Sequence, residues 1–328
     1  MRGPYSFRES TLRPAAGGDP AGGPVYVEEY LKDLRRDRFA PRAIAHYVRR
    51  AFARSREGMI ANPGAARSIW SLGLVFFALC FVGSAAIALW DERRLALDFF
   101  LFTTLAMLPV FAAVTLHLDL LRDREGYRLS AVNLPTALTL LRFCLAPGIA
   151  LFLAEHHYAL ALGVYLVAEL TDVADGWLAR RLKQTTRLGT VLDPLVDIFF
   201  NIIVFVGLFL GRIIPSWVLG VALLRYAIFL FGGACLHLFV GPVSIRPTLF
   251  GRLSGVVMVG LTAVLMLLHV LRAQWLDRLA PLTTLALGAL LVVAVGQVVA
   301  LGWYNLRLLK GQAESQGSVV GDVRWGKR

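Results

Sequence analysis

Long apolar runs separated by short polar clusters dominate the chain. Eight stretches are long and apolar enough to predict membrane-spanning helices: 68–90, 95–121, 136–155, 158–181, 190–211, 216–240, 250–272 and 279–303. Before them, 1–25 is rich in Gly, Pro and Ala and is expected to be disordered. From Val27 onward, apolar positions (Val27, Tyr30, Leu31, Leu34, then Ile44, Tyr47, Val48, Phe52) recur at helical spacing with Lys and Arg between them, and Pro41 marks a break. This pattern predicts two basic amphipathic helices, lying on an anionic leaflet or capping the membrane domain.

Composition fits that reading. Of 328 residues, 57% are hydrophobic and only 17% charged, against about a quarter charged in soluble domains. The balance of 34 Lys and Arg over 22 Asp and Glu gives +12. The positive charge gathers in the leader 1–67, in Arg122–Arg128, at Lys183 and Arg187, at Arg246, and at Arg307 and Lys310. With eight spans these segments share one side, so both termini are expected in the cytoplasm of an integral membrane protein, a bacterial inner-membrane one. Nucleic acid is not an expected partner, because basic residues beside spans record orientation. Cys80, Cys144 and Cys235 sit singly in apolar runs and predict neither a disulfide framework nor a zinc site.

The chemistry concentrates in the fourth and fifth spans. Asp172 and Asp175 are three residues apart, Asp193 and Asp197 four, so each pair shares a helix face. The polar turn from Arg181 to Leu188 makes the two helices antiparallel neighbours, and the four carboxylates are expected to converge. Charges placed so deep need cations. Hard oxygen ligands select Mg²⁺ or Mn²⁺, and two such ions suit displacement at phosphorus. Gly176 leaves room for a nucleotide, and Arg180, four residues on, offers a fork to phosphate oxygens. The bland alternative is an interhelical salt-bridge set in which Arg180 and Arg181 neutralise the acids; two arginines balance four carboxylates less well than two divalent ions do.

The run Asp172-x-x-Asp175-Gly176-x-x-Ala179-Arg180, eight residues, Gly189, three residues, Asp193, three residues, Asp197 resembles the signature of the CDP-alcohol phosphotransferases. The resemblance implies an all-α, six-helix membrane core, usually a homodimer, that moves a phosphatidyl group from CDP-diacylglycerol to an alcohol and releases CMP. It implies Asp172, Asp175, Asp193 and Asp197 as metal ligands, Asp197 also as the general base, and Gly176, Arg180 and Gly189 lining the CDP site. Asn133-Leu134-Pro135-Thr136-Ala137-Leu138-Thr139-Leu140-Leu141-Arg142 is similar to the family's first core helix, with Thr136 where Asn is usual; Thr139 and Arg142 are expected to support the nucleotide or the site. Arg225 and Arg252 are candidates for an acceptor phosphate.

The expected organisation is a basic leader (1–67), two accessory spans (68–121), a six-helix core (133–310) and a cytoplasmic tail (311–328). Two other classes compete. An intramembrane prenyltransferase would also hold a diphosphate through Mg²⁺, but its acidic motifs sit on well-separated helices. A divalent-cation transporter predicts an internal repeat, and the sequence holds no second copy of this acidic motif. The acceptor stays open among glycerol 3-phosphate, inositol phosphate, serine and choline. The motif most resembles glycerophosphate-accepting bacterial members, yet Ile198 replaces the Lys usual after the last Asp, and Tyr226 the Glu usual after the Arg of the next helix.

Overall fold

The computed structural model describes residues 40–90, 93–123, 125–182, 184–232, 249–271 and 278–322. These form nine α-helices: α1 (Pro41–Ala61), α2 (Pro63–Ala88), α3 (Arg93–Leu116), α4 (Leu134–Ala154), α5 (Tyr158–Arg181), α6 (Arg187–Leu210), α7 (Ser216–Ala227), α8 (Leu249–Leu271) and α9 (Leu279–Asp322). A 3₁₀ turn at Leu118–Leu120 follows α3, and a π turn at Ile228–Gly232 continues α7. No strand occurs among the described residues; one isolated bridge joins Arg122 to Arg128.

Among the described residues, six helices are long and apolar enough to cross a membrane: α2, α3, α4, α6, α8 from Gly251, and α9 as far as Tyr304. The fourth predicted span is present as α5, 24 residues long, but Glu169, Asp172 and Asp175 interrupt its hydropathy. The sixth is described only as far as Gly232. The leader's first amphipathic segment, 27–40, falls almost wholly outside the described residues, as do Arg246 and Cys235. Its second is α1, which starts where Pro41 occupies the first helical turn and needs no N–H partner. At the α1–α2 junction Asn62 Oδ1 accepts from the Ala65 amide at 3.2 Å, capping α2 ahead of Pro63.

The chain forms two compact bodies, and α4, α5 and α6 contribute residues to both. The first comprises the chain up to Leu151 together with Val164–Asn201. Its core joins Ala65, Ile69 and Phe76 of α2 with Met107, Phe111 and Val114 of α3, Leu140 and Cys144 of α4, and Leu188 of α6. Phe76 and Phe111 meet edge to face at 6.0 Å, and a side chain at Gly73 would press on the Phe111 ring. The two spans expected to be accessory are therefore packed into the same core as the helices that carry the acidic motif. The loop after α3 is fastened at several points: Asn62 Nδ2 donates to the Leu129 carbonyl at 2.7 Å, the Val132 amide to Ser68 Oγ at 3.0 Å, and the Arg187 amide to the Arg122 carbonyl at 3.0 Å.

The second body comprises Phe152–Gly163 and the chain from Ile202 onward. Here α9 packs against α7 and α8. Gly288 lets α9 approach Trp217 of α7 so closely that a β-carbon there would overlap the indole ring. Gly211 sits against the Leu153 carbonyl in the same way. Replacing Gly288 by Ala is expected to destabilise the protein by about 1–3 kcal/mol through overpacking, lowering the thermal midpoint of detergent-purified protein, whereas Gly220→Ala, at a position with open space, leaves it unchanged.

Candidate active site

Helices α4, α5 and α6 bring the predicted acids together in the first body. Asp172 and Asp175 project from one face of α5, and Asp193 and Asp197 from one face of α6, as the spacing requires. Residues of α4 stand between the two pairs. Thr139 Oγ1 lies 3.3 Å from Asp175 Oδ2 and 3.0 Å from Asp193 Oδ1; it also lies 3.1 Å from the Pro135 carbonyl. One turn further along α4, Arg142 sends one guanidinium nitrogen to Asp172 and another to Asp197. The four acids thus stand as two bridged pairs, each reaching across α5 and α6.

The ion pairs differ from the alternative weighed on sequence. The neutralising cation is Arg142; Arg181 instead lies over the Trp177 ring, 5.0 Å from its centroid. Arg142 is 4% exposed, while the Asp172 and Asp197 side chains are 42% and 53% exposed. The guanidinium is consequently fixed and dry, and the carboxylates it holds are open on their other side. One positive charge against four negative ones leaves an excess of acid with oxygen lone pairs to spare.

The small residues of the motif have steric reasons. Arg180 folds back over Gly176, where a β-carbon would sit 3.3 Å from its guanidinium. At Gly189 an added β-carbon would lie 3.1 Å from Thr186 Oγ1 and 3.6 Å from Thr136 Oγ1, with Asp193 Oδ2 4.0 Å away. Thr186 Oγ1 accepts from the Gly189 amide at 2.9 Å, fixing the start of α6. Beside them is a cavity of about 50 Å³ lined by Asn133, Thr136, Gln184, Thr185, Gly189 and Asp193, among others. It begins at the α5–α6 turn and ends at a motif carboxylate.

Among the described residues no three His, Cys, Asp or Glu side chains stand in a ready-made metal cage. The donor set nevertheless fits a hard divalent cation: every available ligand is a carboxylate or hydroxyl oxygen, and the charge left after Arg142 is negative.

Arg225 and Arg252 belong to the second body. Arg225 on α7 is half-buried, its guanidinium 3.0 Å from the Met258 sulfur and 5.5 Å from the Tyr226 ring centroid; Arg252 on α8 is exposed. Sequence reasoning passed over Glu169, three residues before Asp172 and so on the same face of α5. Tyr165 hydrogen-bonds its carboxylate, which lies within electrostatic reach of Arg142 and Asp197. Its spacing was the available signal. Asn133, which opens the segment similar to the family's first core helix, and Thr185 were given no role of their own, because nothing in a linear motif shows that a turn and a helix start share one cavity.

Removing the guanidinium should be more damaging than removing an ordinary buried side chain, since two carboxylates would then face each other unpaired. Arg142→Met is expected to lower the thermal midpoint, by less than the loss of a fully buried pair because Asp172 and Asp197 are half-exposed. Arg142→Lys, which keeps the charge but not the fork, should fall between Met and wild type. Equal midpoints for all three proteins would show that the bridges do not hold α5 to α6.

A family model described as CDP-alcohol phosphatidyltransferase matches residues 132–309, more than half of the chain. Among curated relatives, the CDP-diacylglycerol--glycerol-3-phosphate 3-phosphatidyltransferase of Aquifex aeolicus is 43% identical over 70 residues, covering 21% of this chain and 39% of that protein. The human cardiolipin synthase (CMP-forming) is 39% identical over 84 residues, 25% of this chain and 28% of that one. A putative cardiolipin synthase of Mycobacterium bovis is 32% identical over 98 residues, 30% of this chain and 47% of that one. The chain thus spans less than half the length of each of these relatives, and no solved structure matches it. The matched region contains the whole acidic motif and the α4 residues that brace it, and with six helices apolar enough to span a bilayer the chain is an integral membrane protein that belongs to the CDP-alcohol phosphatidyltransferase family.

Proposed function

We propose that the protein transfers a phosphatidyl group from CDP-diacylglycerol to an alcohol, releasing CMP, in a reaction that depends on Mg²⁺ or Mn²⁺. The observation that carries this reading is the set of four carboxylates braced from α4 by Thr139 and Arg142 within the region the family model matches. A prenyltransferase or a cation transporter offers no reason for the Gly-x-x-Ala-Arg continuation that places Arg180 over Gly176.

Asp172, Asp175, Asp193 and Asp197 would hold two divalent ions, which supply positive charge to the diphosphate and so favour displacement at phosphorus. Arg142 orients Asp172 and Asp197, leaving their open sides toward substrate. Thr139 does the same for Asp175 and Asp193. Gly176 and Gly189 keep side chains out of the space a nucleotide needs, and Arg180 offers its fork to phosphate oxygens. The acceptor hydroxyl gives its proton to Asp197, its oxygen bonds to the phosphatidyl phosphorus, and the bond from that phosphorus to the CMP oxygen breaks.

The basic clusters at the leader, the Arg122–Arg128 loop and the α5–α6 turn support a site at the cytoplasmic face, with both termini there and a bacterial inner membrane as the setting. A homodimer follows from the family resemblance. Similarity to a CDP-diacylglycerol--glycerol-3-phosphate 3-phosphatidyltransferase favours glycerol 3-phosphate as the acceptor, and Arg225 and Arg252 are the residues proposed to meet its phosphate.

The test is phosphatidyl transfer by purified protein from labelled CDP-diacylglycerol to a panel of alcohols, scored as lipid product and CMP. Chelation should abolish both, and added Mg²⁺ should restore them; CMP release that survives exhaustive chelation would refute the metal dependence. Asp197→Asn should slow transfer by roughly 10²–10⁴-fold while nucleotide binding persists. Transfer near the wild-type rate would place the base elsewhere.

A further inference from the structure

At the end of α6 opposite the acidic motif, the chain turns through a conformation that favours glycine and places an arginine there. The Arg212 amide donates to the Phe209 carbonyl at 3.0 Å and the Ile213 amide to the Leu208 carbonyl at 2.8 Å, the pair of bonds that closes a helix when the residue between them is left-handed. Arg212 has φ 57°. α4 ends in the same way on His156, at φ 62°, with the His156 amide bonded to the Leu153 carbonyl and the His157 amide to that of Phe152. In both, a β-carbon is crowded by the backbone.

The neighbouring glycine is committed to another task. A β-carbon at Gly211 would come 2.5 Å from the Leu153 carbonyl, so this residue lets the end of α6 close on the end of α4. Tyr158 ties the two ends together: its hydroxyl lies 2.9 Å from His156 Nδ1 and 3.4 Å from the Gly211 carbonyl. All of these residues belong to the second body, and the backbone that presents Arg212 is thereby fixed. The Arg212 side chain itself is exposed. It stands on a cavity of about 590 Å³ whose other lining residues, Phe209, Leu210, Ile213, Ile214 and Pro215, are apolar.

A crowded backbone retained where glycine would be easier points to a use for the side chain. Orientation in the membrane is not that use, since the positive-inside rule favours arginine at the other end of these spans. The corner lies about 20 Å along α6 from Asp197 at about 1.5 Å per residue, too far to serve the acids. What it offers is one planar cation at the rim of an apolar cleft, at the end of a membrane-spanning helix. A free anion would meet the guanidinium and gain nothing from the apolar lining, and an acyl chain alone would leave the guanidinium unpaired. A phospholipid joins the two parts covalently, a phosphate beside its acyl chains. A choline headgroup would bring a second cation up to the guanidinium, so the fit is to an anionic headgroup. We propose that the α6–α7 corner binds an anionic phospholipid of the leaflet opposite the acidic motif, with Arg212 on the phosphate and the cleft against the upper part of an acyl chain.

The test uses the full chain in lipid nanodiscs of phosphatidylcholine alone and of phosphatidylcholine mixed with phosphatidylglycerol, and reads the gain in thermal midpoint between them. Wild type should gain several degrees, because a ligand that binds the folded state stabilises it. Arg212→Gly and Arg212→Asn remove the cation with residues that accept the left-handed region, so both keep the helix end closed and should lose most of the gain. Arg212→Lys keeps the charge without the fork and should fall between. Inorganic phosphate added to phosphatidylcholine discs should leave the wild-type midpoint unchanged. An arginine that only complements the carboxyl end of α6 would instead give the same gain in wild type, Arg212→Gly and Arg212→Asn, and that result would overturn the proposal. It would equally be overturned by a wild type indifferent to phosphatidylglycerol, or by one that inorganic phosphate stabilises as much.

Discussion

A single buried guanidinium holds the centre of this protein together. Arg142 leaves α4 almost free of solvent and meets one carboxylate from α5 and one from α6. Without it, the two acidic helix faces would repel across a poorly hydrated gap, and nothing else among the described residues forms ion pairs with Asp172 or Asp197. A fork with several donors in one plane suits this task where an ammonium would not, because two partners on different helices have to be satisfied at once. Thr139, one turn earlier, makes the matching contacts to Asp175 and Asp193 with a neutral hydroxyl. The brace therefore cancels only one of four charges, and the acid left over is what makes the site suitable for divalent cations.

That constraint reaches outward. For Arg142 and Thr139 to stand where they do, α4 must be fixed in both depth and rotation. Leu140 and Cys144 fix it from the other face, locked into the core shared with α2 and α3. The loop from α3 to α4 is tied to Asn62 and Ser68 at the head of α2, and through Arg122 to the start of α6. The two spans outside the family match thus bear on the site through packing and through side-chain hydrogen bonds to the backbone of the loop, although no residue of theirs touches an acid of the motif among the contacts described.

Much of this was legible in the sequence, for identifiable reasons. Helical periodicity is local, so the run of apolar helices and the pairing of Asp172 with Asp175, and of Asp193 with Asp197, follow from spacing alone. The sequence also marked Thr139 and Arg142 as residues that support the nucleotide or the site. It did not show which cation meets which acid. Arg180 and Arg181 lie nearer in sequence to the motif, but they occupy the exposed end of α5, where one folds over Gly176 and the other over Trp177. Partner choice depends on the approach of α4, a tertiary fact. The same holds for the cavity joining Asn133 to Thr185, which exists only once the turn closes on the head of α4. Hydropathy was also blunt at α5, where three acids lower the average of a helix that is nonetheless continuous.

The central proposal is that these four carboxylates, in the arrangement Arg142 and Thr139 impose, form one binding site for divalent cations. Mn²⁺ titration followed by electron paramagnetic resonance tests it most directly, using detergent-purified wild type and the Asp175→Asn and Asp193→Asn variants in the presence of CMP. The account predicts two tightly bound Mn²⁺ per chain in wild type, with spin coupling between them, and loss of at least one ion together with the coupling in each variant. Stoichiometry and coupling unchanged by either substitution would contradict it.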